Sequence, residues 1–352
     1  MKKYRIAVIA GDGIGPEVVT EGQKILEAIS SRHAIKLEWI SFPWGCQYFL
    51  EHEKMMPANG IKQLEKFDSI FLGAVGYPGV PDHISLWGLL IPIRRYFDQY
   101  VNLRPTRLFK GISSPLQNRS PQDIDFIVIR ENVEGEYSEI GGKLYPDTDY
   151  EIVTQESVFT RRGVDRILNY AFESASLRHK NHLTSATKSN GIIHTMPFWD
   201  ERFKKISKEF PHIKVDQFHI DILCSHFVNH PDWFDVVVGS NLFGDILSDL
   251  GAAVAGSIGL AASANINPNR KFPSMFEPVH GSAPDIAGKG IANPIGQIWS
   301  GALMLEHLGH PEASQEIMNS IEKVLQNKAY WTPDLGGSAR TKEVGKAIIE
   351  SI

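Results

Sequence analysis

Short apolar runs alternate with amphipathic stretches along almost the whole chain. Residues 5–10, 36–41 and 69–76 are rich in Ile, Val, Phe, Trp and Ala, and turn or polar residues bound them. Runs of this length and composition read as strands. Residues 17–29 repeat apolar positions every three or four residues, which predicts a helix. The same reading gives strands at 100–105, 125–132, 152–160, 182–187, 214–220 and 234–238. It gives helices at 161–176, 194–210, 295–308, 312–326 and 341–349, and another from Asp245 to Leu250. Residues 82–95 read as a loop entering a helix, and 251–265 as a tightly packed helix and loop of small residues. Residues 275–294 form a long, polar, glycine-rich loop, a kind that is uncommon in compact domains and usually functional. Strand–helix alternation of this sort predicts an α/β fold on a mostly parallel sheet.

The first strand runs into Gly11-Asp12-Gly13-Ile14-Gly15-Pro16-Glu17. A dinucleotide fingerprint needs GxGxxG and an acidic residue closing the second strand. Here the glycines fall as GxGxG, and the second strand ends in Phe42-Pro43-Trp44. An ordinary Rossmann site is therefore rejected. A tight strand-to-helix turn is expected, with Pro16 early in the helix where it is tolerated.

Composition narrows the class without naming a function. The chain has 352 residues, 42% hydrophobic and 22% charged, with a net charge of −5. That is a globular composition with room for two domains. No bulk positive field points to nucleic acid or an anionic membrane. No apolar run approaches the roughly 20 residues that span a bilayer. The start reads as a first strand rather than a leader. The only cysteines, Cys46 and Cys224, lie in no metal or redox spacing, and a reducing, cytoplasmic setting is expected.

Several charged residues close apolar runs. Arg94, Arg104 and Arg130 each do so, and converging guanidinium forks would suit a dicarboxylate. Any one of them alone is better read as a surface ion pair. Lys188 follows the strand at 182–187, at the edge where ligands gather in parallel sheets, although a surface lysine fits equally. Asp221 is favoured as a helix cap. Asp245 and Asp249, four apart on one helical face, could share a hard divalent cation. On spacing alone, a solvated pair is the commoner reading.

Taken together, these segments resemble the decarboxylating β-hydroxyacid dehydrogenases, the isocitrate and isopropylmalate dehydrogenase family. The resemblance rests on the turn at 11–17, Asn102-Leu103-Arg104-Pro105, Arg130-Glu131-Asn132 with Glu136-Tyr137, Lys188-Ser189-Asn190, residues 241–250 and residues 277–294. These occur in order over essentially the whole chain. Residues 80–88, 97–100 and 155–163 further resemble the branch acting on D-malate and tartrate.

The resemblance implies two α/β domains that are not Rossmann folds. One is built from residues 1–103 and 256–352 and the other, central and dimer-forming, from 104–255. It implies a homodimer with composite active sites in the cleft between domains. Arg94, Arg104 and Arg130 would hold substrate carboxylates, with Trp87 and Leu90 shaping the pocket. Tyr137 and Lys188 would be the catalytic pair, and Asp221, Asp245 and Asp249 the metal ligands, with Lys188 and Asp221 crossing from a second copy. The loop containing His280, Gly281, Ser282, Ala283, Asp285 and Asn293 would bind NAD. Asp285 would accept ribose hydroxyls and repel a 2′-phosphate. The implied cofactors are NAD and Mn²⁺ or Mg²⁺, with K⁺ a further candidate.

The expected reaction is oxidative decarboxylation of a malate-type 2-hydroxy acid. Trp87 stands where relatives with branched substrates carry an acidic residue, so unbranched D-malate is expected first and tartrate second. A Trp87 that packs into the core would say nothing about substrate. An isopropylmalate dehydrogenase is the alternative within the family, and a metal-dependent decarboxylase without redox chemistry is the more distant one. One departure is noted: relatives often carry proline where this chain reads Gly259 to Asn265, which leaves the stiffness of that loop open.

Overall fold

The computed structural model describes residues 2–352. In chain order the elements begin with β1 (Lys2–Gly11), α1 (Gly15–Arg32), β2 (Ile35–Ser41), α2 (Cys46–His52), α3 (Gly60–Leu64) and β3 (Ser69–Ala74). Next come α4 (Asp82–Ser85), α5 (Ile91–Tyr96), β4 (Val101–Arg107), β5 (Asp125–Glu131), β6 (Gly141–Leu144) and β7 (Ile152–Gln155). They continue with α6 (Arg161–Ser176), β8 (His182–Thr187), α7 (Thr195–Ile206), β9 (Lys214–His219), α8 (Ile220–Asn229), β10 (Val236–Gly239) and α9 (Asn241–Val254). The last are β11 (Ala262–Ile266), β12 (Ser274–Pro278), α10 (Ile295–His307), α11 (Pro311–Leu325) and α12 (Thr341–Ser351).

The chain divides into two compact units. One comprises Met1–Asp125 and Gly251–Ile352, the other Phe126–Leu250. In the first, the strand order is β2-β1-β3-β12-β11-β4. β1 runs parallel to β2 and β3, and β3 parallel to β12. β11 is antiparallel to both β12 and β4. In the second unit the order is β5-β10-β8-β9, all parallel. β3, β8 and β10 are buried along their whole length, as continuous apolar or small-residue strands covered on both faces should be.

The expected α/β class holds, with corrections. β11 falls in the small-residue stretch expected to be helix and loop. Ala, Ser and Asn carry little strand preference, so pairing with β12 and β4 decides its state. The strand expected over 152–160 stops at Gln155 and forms a separate hairpin with β6. The region 82–95 is helical from Asp82, with a π-helical turn over Leu86–Leu90 between α4 and α5. The loop that lacks the relatives' proline is a 3₁₀ turn, Ile258–Leu260, leading into fully buried β11. Ser257 Oγ donates to Asp334 Oδ2 at 2.6 Å and accepts from Gly259 N, so hydrogen bonds hold that loop.

The glycine-rich turn after β1 is a strut. Gly11 and Gly13 have φ of +69° and +58°. A Cβ on Gly13 would lie 2.0 Å from the Ser282 carbonyl oxygen. Ile14 N donates to that same oxygen, and Gly288 N donates to Glu17 Oε1. The start of α1 thus holds the 280–290 loop at two points. Asp12, buried beside the turn, accepts from the amides of Cys46 and Gly76. Burial pushes the neighbouring Cys46 thiol up to about 12, so it stays protonated.

Candidate active site

In the second unit, α9 carries Asp245 and Asp249. It approaches β5 closely because residue 244 is glycine: a Cβ there would lie 2.5 Å from Arg130 Cβ. Interior glycine weakens a helix by about 1 kcal/mol, and here it brings the backbone against an arginine that is only 2% exposed. Arg130 Nε and Nη2 donate to Asn241 Oδ1 at 3.0 and 2.7 Å. Its Nη1 is paired with Asp245 Oδ1. Tyr137 donates its hydroxyl to the other oxygen, Oδ2, at 2.9 Å, and the Arg130 guanidinium lies 5.4 Å from the centre of the Tyr137 ring. Three expected site residues, Arg130, Tyr137 and Asp245, are therefore together. Asp249 lies one turn further along α9 and is exposed.

Lys188, just past the carboxyl end of β8, donates to Asp221 Oδ1 at 2.6 Å. The hydrogen bond from Lys188 holds the Asp221 carboxyl below the usual range. Asp221 is not the cap of α8: His219 takes the cap position and Asp221 sits in the first turn. Among the described residues no group of three or more His, Cys, Asp or Glu side chains gathers as a metal cluster. Asp221 thus does not join Asp245 and Asp249 within one chain.

In the first unit, Arg94 and Arg104 are 6% and 8% exposed. Arg94 Nη2 donates to Glu277 Oε1 at 2.7 Å, and Asn265 Nδ2 donates to the same oxygen at 2.7 Å. Asn102 Nδ2 in turn donates to Asn265 Oδ1 at 3.0 Å. Trp87 and Leu90 lie on the π-helical turn, both partly buried. The Arg95 guanidinium lies 4.9 Å from the Trp87 ring centre. The wider turn delays the helical phase by one residue, which brings Trp87 in line with Arg95, whereas Arg94 is the buried neighbour.

The 280–293 loop also belongs to the first unit. His280 Nδ1 faces the Gly281 carbonyl at 2.9 Å. A carbonyl accepts only, so Nδ1 carries the proton and Nε2 is a bare acceptor. That Nε2 is buried without a partner. Burial lowers the ring's pKa and keeps it neutral. A Cβ on Gly281 would meet nothing within 4 Å, and Asp285 is exposed. Ser282 is buried, and Ala283 takes a φ of +40°. Asn293 is buried; its Nδ2 donates to Asp334 and its Oδ1 accepts from Ile295 N at the start of α10. An open groove of about 530 Å³ is lined by residues of 75–82 and by Gly281, Ser282 and Pro284.

Both implied cofactor types fit the residues present. Two aspartates one turn apart offer hard oxygen donors of the kind Mg²⁺ and Mn²⁺ take. An orphaned imidazole nitrogen in a glycine-rich loop beside an open groove offers an acceptor for a ligand hydroxyl or amine.

Sequence reading gave no role to Asn241, Glu136 and Glu277, although all three lie in the motifs that carry the resemblance. Asn241 Oδ1 holds Arg130 while its Nδ2 donates to the Glu134 carbonyl at 3.0 Å. An asparagine opening a helix looks like an ordinary cap, so no local signal marks it.

Comparison with known proteins agrees with this picture. Residues 5–348 match the isocitrate/isopropylmalate dehydrogenase family. The chain is 57% identical to a tartrate dehydrogenase/decarboxylase of Pseudomonas putida, over 99% of this chain and 98% of that one. It is 56% identical to the decarboxylating D-malate dehydrogenase of Escherichia coli K12, over 100% and 99% of the two chains. The crystal structure of isocitrate dehydrogenase from Methylococcus capsulatus superposes with a TM-score of 0.89 at 34% identity, covering 99% of each chain. Among the described residues no helix is long and apolar enough to cross a membrane. The chain belongs to the isocitrate/isopropylmalate dehydrogenase family.

Proposed function

We propose that this protein is an NAD-dependent enzyme that oxidatively decarboxylates a malate-type 2-hydroxy acid, D-malate first and tartrate second. The observation that carries the reading is the cluster of Tyr137, Arg130 and Asp245, in which an acid, a cation and a carboxylate share one contact network. The relatives named for tartrate and D-malate, at 57% and 56% identity, support the choice of substrate.

When bound, NAD would supply the hydride acceptor for C2, and a divalent cation would polarise the 2-hydroxyl and its carboxylate. Asp245 and Asp249 would hold the cation together with Asp221 of a second copy, making the enzyme a homodimer that needs both subunits. Arg94, Arg104 and Arg130 would each offer a guanidinium fork to a substrate carboxylate. Lys188, supplied by a second copy, would receive the hydroxyl proton as C2 is oxidised. The C–C bond to the far carboxylate then breaks, CO₂ leaves, and its electron pair becomes the enolate. Tyr137 would deliver its proton to the enolate carbon, giving the 2-keto acid; for D-malate that product is pyruvate.

His280 and the surrounding loop would seat the adenosine half of NAD. Asp285 would accept the ribose hydroxyls and disfavour a 2′-phosphate. The test is a cofactor and substrate matrix: NAD and NADP, each with Mn²⁺ or Mg²⁺ and with D-malate, both tartrates, isopropylmalate and isocitrate. Preference for NADP, or for isocitrate, would overturn the proposal.

A further inference from the structure

Glu136 precedes Tyr137 and has no part in the chemistry proposed above. Its carboxylate reaches the start of α9: Ser240 Oγ donates to Oε1 at 2.7 Å and Leu242 N donates to Oε2 at 3.0 Å. α9 begins at Asn241, so Glu136 takes up one of the free amides of its first turn from a distant segment. A carboxylate at that end also suits the helix dipole. One turn on, Asp245 of the same helix accepts from Tyr137. Gly135, with φ of +93°, passes close enough that a Cβ would lie 3.3 Å from Asn241 Cβ. The Glu136-Tyr137 dipeptide therefore grips α9 at two levels.

We propose that Glu136 is a positioning residue: by anchoring the start of α9 it fixes the register between the Tyr137 hydroxyl and Asp245. Its side chain reaches no reacting atom in this scheme. The inference rests on the reading of Tyr137 as proton donor, and it concerns the late proton transfer rather than hydride transfer. A neutral amide in place of the carboxylate cannot accept at both positions, since its NH₂ donates only.

The experiment uses the full-length Glu136→Gln variant with two readouts. The first is hydrogen–deuterium exchange of residues 241–245 without added metal or NAD. Exchange there should rise about tenfold or more, the scale expected when a hydrogen bond to a charged group is lost. The second is kinetics with D-malate, NAD and Mn²⁺. The first-turnover burst of NADH should persist and KM should stay within about twofold, while steady-state kcat falls about tenfold or more, because the slowed step follows hydride transfer. Unchanged exchange at 241–245, or equal losses of burst and turnover, would overturn the proposal. If Glu136→Gln does not fold, Ser240→Ala deletes one of the same two bonds and should shift both readouts in the same direction; no shift in that variant would overturn it. Absence of D-malate-dependent NADH in the wild type would sink the functional reading, whereas the exchange readout still decides whether Glu136 anchors α9.

Discussion

The Tyr137 hydroxyl donates to Oδ2 of Asp245 at 2.9 Å, while Arg130 is paired with Oδ1 of the same carboxylate. One aspartate thus carries a proton donor on one oxygen and a guanidinium on the other. A carboxylate whose two oxygens are held in this way keeps a fixed plane, and that plane sets where the tyrosine proton lies.

Tyr137→Phe removes that proton and little volume. General acid catalysis contributes about 10²- to 10⁴-fold, so steady-state kcat with D-malate should fall by at least about a hundredfold while NADH still forms in the first turnover. Asp245→Asn should abolish the Mn²⁺ response with the circular dichroism spectrum unchanged. Wild-type Mn²⁺ dependence in Asp245→Asn would remove Asp245 from the metal site.

Gly13 tests the strut after β1. A Cβ there would lie 2.0 Å from the Ser282 carbonyl oxygen, at a φ that side chains rarely take. Gly13→Ala should displace the 280–290 loop and raise the Kd for NAD more than about tenfold, with a smaller effect on the KM for D-malate. Calorimetric titration with NAD reads this directly, and an unchanged Kd would show that the turn does not set the loop.

The Arg94–Glu277 pair is buried in the first unit, with side chains 7% and 8% exposed. Removing one partner of a buried pair leaves an uncompensated charge and costs about 3–5 kcal/mol. Glu277→Ala should lower the free energy of urea unfolding by that order and also release Asn265. A loss below about 1 kcal/mol would contradict the burial argument.

Glu131 supplies a pH signature. Burial pushes its carboxyl up to about 8, against the pull of hydrogen bonds from the Glu134 and Val133 amides. Between the ordinary value of 4.5 and about 8 the native state holds a proton that the unfolded chain has released. Stability from this group therefore falls as pH rises through that window and levels off above it. Glu131→Gln mimics the protonated form. Its stability relative to wild type should improve between pH 5 and pH 8.5 by more than about 1 kcal/mol. Parallel denaturation curves at both pH values would show that Glu131 does not titrate in this range.

Trp87 governs the substrate prediction. With Arg95 against its ring, the indole is held in place on the π-helical turn. If it fills the space of a C3 branch, kcat/KM should favour D-malate over 3-isopropylmalate by more than about tenfold, or about 1.4 kcal/mol. Trp87→Ala should narrow that ratio. A preference for isopropylmalate in the wild type would contradict it.

Much of this was legible in the chain itself. Period and punctuation located β8, α6 and most strands of the parallel sheets, because those elements bury continuous apolar faces. Spacing showed Asp245 and Asp249 as a pair, but only the family resemblance put them with Arg130 and Tyr137, which lie more than a hundred residues from Asp245 in sequence. β11 was hidden because its Ala, Ser and Asn take their state from neighbouring strands. Asp221 looked like a cap, since its ion pair with Lys188 spans 33 residues. Asn241 and Glu136 lay within the motifs of the resemblance, yet their roles were hidden, for a carboxylate capping a remote helix leaves the helix's own sequence unmarked.

The most direct test mixes the purified protein with D-malate, NAD and Mn²⁺ and follows NADH at 340 nm alongside pyruvate and CO₂. The account predicts that the three products form in a 1:1:1 ratio and that all three stop together when the cation is chelated. Pyruvate or CO₂ without NADH, or NADH with oxaloacetate accumulating in place of CO₂, would contradict it.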